Sequence, residues 1–308
     1  MKFVRKSVAR PAGQVPVVGG VNTASLPEPI ELDPSLARPC VTLQGASGSG
    51  KTHAIGSMFE AGYNGLVLAA EPKMQGIMRH RPLTVFLGAP VDGRPPTVMQ
   101  KYDRLMRFRD ALSEGKYREH KGKAIDFIST DGFLEIGQII YRDGKVKRPI
   151  SKSTGEQNTF ALWDKVAEDG VDFFQSCRDA AGLASTIFGF PPVGFVATVG
   201  EHIEYSKTGT VRYEPLFPGR KAPEMLPYMF ETVIRLACRN NDGKYEFVAH
   251  TIGTEEFCAK CPPGVFEPEV INPNFGEMYR KIEEYYSAGV AAAGEVKGES
   301  SDDAQQAG

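Results

Sequence analysis

The chain has 308 residues, with 36 Lys+Arg against 38 Asp+Glu and a net charge of −2, and is twice the length of an ordinary domain of about 150 residues. The even balance excludes a globally basic nucleic-acid coat protein, and 41% hydrophobic with 24% charged residues excludes disorder along the whole chain. No apolar run approaches the ~18 residues of a membrane span, and the basic start MKFVRKSVARPAG lacks the apolar block of a secretory signal, so a cytoplasmic protein is expected.

Residues 1–38 are rich in Pro, Gly and Val, carry Lys2, Arg5, Lys6 and Arg10, and read as a flexible basic arm. An organelle transit peptide shares such an acid-poor start but needs an amphipathic helical stripe, which this segment lacks. Residues 39–286 alternate short apolar runs with longer helical stretches, the pattern of strands and helices in one α/β domain. Strands are expected at 40–44, 66–70, 83–87, 124–130, 193–199, 232–237 and 245–249, each apolar enough to be buried on both faces. Helices fit 51–61, closed by Gly62, then 97–114, closed by Gly115, and much of 160–188. A hairpin fits 203–214 around a Thr-Gly turn, and Asn241-Asp242-Gly243 marks another turn. Residues 287–308 are rich in Ala, Gly and Ser with an excess of acids, and read as a disordered acidic tail. The sum is a mostly parallel sheet flanked by helices, with antiparallel strands toward the C-terminus.

Gly45-Ala46-Ser47-Gly48-Ser49-Gly50-Lys51-Thr52 matches G-x-x-x-x-G-K-[ST] between an expected strand and an expected helix, the context the motif requires. Glycines let successive N–H groups turn toward one anion, and the helix N-terminus adds partial positive charge. Lys51 would neutralise the β and γ phosphates of ATP, and the Thr52 hydroxyl would bind Mg²⁺. A metal so held needs a carboxylate nearby, and Asp131 at the end of IDFIST is the candidate, its alternative being a plain helix cap. Gly132 follows, so an Asp-Glu pair is absent and the acid that orients water must come from elsewhere. Glu71, directly after the strand LVLAA, is the best supplier, since parallel strands deliver their C-terminal ends to one edge. Its alternative is a surface Glu ahead of Pro72, and Glu135 is a weaker competitor.

This order of motifs resembles the RecA-like P-loop ATPase core, and in overall layout the phage ATPases of the Sak type, implicated in single-strand annealing and recombination. The resemblance covers 39–285. It implies that Gly45 to Thr52 cradle ATP, that Glu71 positions water, that Asp131 partners Mg²⁺, and that His202 senses the γ-phosphate, with Thr198 or Glu201 as substitutes. It further implies that Arg220 and Lys221 can reach a neighbouring subunit's nucleotide in a homo-oligomer. Single-stranded DNA and a single-strand-binding protein are the partners it suggests.

Two loops could hold a DNA strand despite the neutral total, because phosphate neutralisation supplies affinity locally. Arg142, Lys145, Lys147, Arg148 and Lys152 form one group, and Lys207 and Arg212, interleaved with Tyr205 and Tyr213, form the other. The alternative is a plain solvated loop for the first group and a structural edge ribbon for the hairpin. Trp163 falls on a helical stretch and is expected in the core. Five cysteines are odd in number and scattered, so a disulfide framework is not expected; Cys258 and Cys261 make a C-x-x-C without the second pair that a structural zinc requires. Two other functions share the same phosphate loop: a P-loop kinase of a small molecule, and a nucleotide-gated assembly protein with little hydrolysis.

Overall fold

The run CVTLQG forms the first strand, β1 (Cys40–Gly45), buried at every position. It is followed by α1 (Lys51–Glu60), β2 (Gly65–Ala69), α2 (Gln75–Met78), β3 (Leu83–Phe86) and α3 (Val98–Ser113). A small ribbon, β4 (Glu119–His120) and β5 (Lys123–Ala124), precedes β6 (Phe127–Asp131), α4 (Phe133–Val146) and α5 (Thr159–Ala181). Then come β7 (Gly194–Tyr205), β8 (Val211–Pro215), α6 (Lys221–Met229), β9 (Thr232–Asn241), β10 (Lys244–His250), β11 (Glu269–Ile271) and α7 (Phe275–Val296). The computed structural model describes residues 38–72, 75–147, 159–182, 186, 189–205, 209–219 and 221–296.

One sheet runs in the order β11-β10-β9-β1-β7-β6-β2-β3, with β8 paired to β7. The six strands from β9 to β3 are parallel, whereas β10, β11 and β8 add on antiparallel. The expected class, an α/β protein with a mostly parallel sheet and antiparallel C-terminal strands, is therefore what the chain adopts. The central strands are largely apolar because helices cover both their faces, with small polar side chains such as Thr42, Ser129, Thr130 and Thr198 buried among them. On one face α1 and α7 pack Ile55, Met58, Phe275 and Tyr279 against Val41, Leu43 and Val67. On the other, Phe108, Phe133, Phe173 and Phe174 from α3, α4 and α5 meet Leu66, Leu68 and Phe195. Each such buried side chain contributes about 1.5–3 kcal/mol. No described helix is long and apolar enough to cross a membrane.

Several boundaries differ from expectation for local reasons. The strand expected at 124–130 begins only at Phe127, because Asp126 exchanges hydrogen bonds with Asn64 (Asn64 N to Asp126 Oδ2, 2.7 Å) and Lys123–Ala124 pair separately with β4. β7 runs past Val199 to Tyr205, carried out of the sheet by its pairing with β8, the hairpin that was expected. α3 starts where Thr97 and Gln100 cap each other reciprocally. α6 was not anticipated, since Pro223 and Pro227 argue against a helix. α7 continues past Ser287 to Val296, correcting the expected tail boundary: the Ala-rich run is a good helix former. Residues 297–308 and the arm up to Ala37 lie outside the described residues.

Candidate functional site

Parallel strands with one direction bring the C-terminal ends of β1, β2, β6 and β7 to one edge of the sheet. Gly45 ends β1 with no room for a side chain, since a Cβ there would collide with the Leu236 carbonyl oxygen and Ser49 Oγ. Gly48 and Gly50 take φ of +81° and +93°, a left-handed geometry that lets the loop curl over the start of α1. A row of amides at a helix N-terminus is suited to an anion. Lys51 Nζ donates to the carbonyls of Gly45 (2.7 Å) and Ala46 (2.8 Å). Burial lowers its pKa, while the carboxylates of Glu201 and Asp131 oppose that shift.

The loop opens into a cleft of about 530 Å³ whose polar lining includes Lys51, Thr52, Glu71, Asp131, Thr198 and Glu201. Asp131 takes a hydrogen bond from Thr198 Oγ1 at 2.8 Å, and the Thr52 hydroxyl also bonds it. Burial raises its pKa; the Thr198 bond lowers it, the nearby Glu71 charge raises it, and Lys51 and Thr52 lower it. The expected loop, Asp131 and Glu71 are thus brought together, although they come from three separate strand ends. Hydroxyl and carboxylate oxygens at Thr52 and Asp131 are the hard donors that suit Mg²⁺.

His202 does not join them. Thr198 and Glu201 line the cleft, whereas His202 lies where β7 has left its parallel neighbours β1 and β6 and pairs only with β8; it is exposed on that ribbon, where it and Glu204 and Glu214 have ligand atoms within 4.8 Å of one another. Of the three expected sensor candidates, Thr198 and Glu201 line the cleft and His202 does not. Glu135 stands away from the cleft lining, 4.0 Å from Lys101. Arg148, Lys152, Lys207 and Arg220 lie outside the described residues, as does the side chain of Lys221, which begins α6. Arg142, Lys145 and Lys147 are exposed at the end of α4. Cys258 and Cys261 are half-buried free thiols.

Sequence reasoning missed two residues. Phe247 of β10 lines the cleft beside the loop, 3.3 Å from where a Cβ on Gly50 would lie. Arg235 of β9 holds Glu201 through two bonds, Nε to Oε2 at 3.0 Å and Nη2 to Oε1 at 2.9 Å, with both side chains largely buried. Its guanidinium lies over the rings of Tyr213 (4.0 Å) and Phe257 (4.7 Å). A lone Arg inside the apolar run TVIRLA was the available signal, because a buried guanidinium must find an acid. Arg235→Ala leaves the Glu201 carboxylate buried without its hydrogen-bonded partner and should cost about 3–5 kcal/mol in urea unfolding. The double change Arg235→Met with Glu201→Gln should recover most of that loss; an unaltered midpoint in the single variant would show that the pair contributes nothing.

No protein-family profile and no curated protein sequence matches the chain.

Proposed function

We propose that the protein is a Mg²⁺-dependent, RecA-like P-loop ATPase that acts on single-stranded DNA in recombination, annealing or replication. The observation that carries the reading is the convergence, around one cleft, of the 45–52 loop, the Thr52–Asp131–Thr198 hydroxyl and carboxylate group, and Glu71. The insertion of β7 between β1 and β6 supports the RecA-like arrangement, since it delivers Thr198 and Glu201 between the loop and Asp131.

In this reading the loop amides and Lys51 take the phosphate chain of ATP, Lys51 exchanging its two carbonyl partners for phosphate oxygens. Thr52 and Asp131 would hold Mg²⁺, which when bound withdraws charge from the phosphates as the terminal bond breaks. Thr198 fixes the Asp131 carboxylate in orientation. Glu71 orients the attacking water and accepts its proton. Phosphate release measured with and without single-stranded DNA tests the proposal: DNA should accelerate turnover, and a rate indifferent to DNA removes the coupling.

A P-loop kinase is the second reading, favoured by one feature. A further cavity of about 500 Å³, lined by Phe86, Pro95, Pro96, Lys101 and Glu135, meets the cleft at Glu71 and has room for a small phosphoryl acceptor. Transfer of labelled phosphate to a small molecule, without DNA stimulation, would favour it.

A further inference from the structure

The two candidate DNA loops differ in what the fold leaves available. On the β7–β8 ribbon Tyr205 is exposed, but the Tyr213 ring is covered by the Arg235 guanidinium at 4.0 Å, and Glu204 and Glu214 beside His202 set carboxylates where a strand's phosphates would lie. The end of α4 is different. Tyr141 stacks on Trp163 of α5, ring centroids 4.8 Å apart and planes within 17°. Trp163, expected in the core, is 38% exposed and extends the aromatic stack outward, with Gly219 near its ring edge: a Cβ there would lie 3.5 Å from Cε3.

The charges around this pair sort in the same direction. Lys145 Nζ sits 5.7 Å from the Tyr141 ring, and neither Lys145 nor Arg142 makes an ion pair with another described residue. Of the acids on α4 and α5, Asp143 is held by Lys147 and Asp169 by Lys165, each at 2.9 Å, while Asp164 and Glu168 are exposed on α5. A partly exposed indole stacked on a second ring and flanked by cations is what an unstacked base and its phosphates require, whereas a duplex hides the base faces.

We infer that the Tyr141–Trp163 stack is a base platform, and that Arg142 and Lys145 bind the phosphates of a single strand laid across it. The inference rests on the proposed action on single-stranded DNA and names the surface that performs it.

Trp163 is the one tryptophan of the chain, so tryptophan emission reports on this surface alone. The full chain is titrated with a fluorescein-labelled oligothymidylate, following emission and oligonucleotide anisotropy together. Emission should be quenched in step with the anisotropy rise. Trp163→Ala should weaken binding roughly 5- to 100-fold, while Trp163→Tyr retains most of the affinity. Arg142→Ala and Lys145→Ala, both on the exposed surface, should each lower the salt dependence of log K by about 0.7. Binding by anisotropy with unchanged emission and unchanged variant affinities would overturn the platform while leaving the function standing. No anisotropy change at low salt would remove both. Emission that follows protein concentration and ignores the oligonucleotide would assign the patch to contact between copies of the chain, again overturning the inference.

Discussion

Lys51→Ala is expected to reduce kcat/KM for ATP hydrolysis at least about a thousandfold, equivalent to about 4 kcal/mol of transition-state stabilisation. Among the described residues lining the cleft, Lys51 is the one lysine or arginine side chain, and it faces Glu71, Asp131 and Glu201. Without its ammonium, a polyphosphate would enter a cleft whose fixed charges are all negative. The loop itself should persist, because its turns come from Gly48 and Gly50 and its anchor from the packing of Gly45 under Leu236. Burial already disfavours the charged lysine, so losing it should leave the thermal midpoint within a few degrees of the parent. Phosphate release and a thermal melt on the same preparation check both halves. Hydrolysis within tenfold of the parent, from a folded variant, would detach the chemistry from this cleft.

The second large effect belongs to Glu71→Gln. The amide keeps the shape of the side chain and removes its charge, so turnover should fall about 10²- to 10⁴-fold. Affinity for Mg·ATP should hold or rise. Glu71 pushes the Asp131 pKa up, so its neutralisation lets Asp131 ionise more readily and hold the cation better. Asp131→Asn should act the other way, weakening Mg²⁺-dependent nucleotide binding itself. Single-turnover hydrolysis beside equilibrium binding of a nonhydrolysable analogue separates the two. Should Glu71→Gln turn over normally while Glu201→Gln does not, the water-positioning acid is Glu201, and the Arg235 pair becomes part of the chemistry.

These expectations divide by the distance over which their causes act. The 45–52 loop was legible because strand, turn and helix are contiguous, and each step depends on neighbours within a few residues. Glu71 and Asp131 were legible as strand-terminal acids, since parallel strands share a polarity and hence an edge. Trp163 was misjudged because helical periodicity marks an apolar face without saying whether a neighbouring helix covers it all. His202 was misjudged because the residues after Val199 continue β7 into a ribbon with β8, and where a strand leaves its sheet is set by that long-range pairing.

The amino-acid order alone therefore determined the class of fold, the glycine-rich loop between β1 and α1, and the acids at the strand ends. All of these follow from local propensity and from burial patterns repeated along the chain. Tertiary structure alone decided that β7 lies between β1 and β6, that Arg235 reaches Glu201, and that Phe247 lines the cleft. Those contacts join strands remote in sequence, and strand order is chosen by the packing of both sheet faces at once, a cooperative energy that no short window of residues contains.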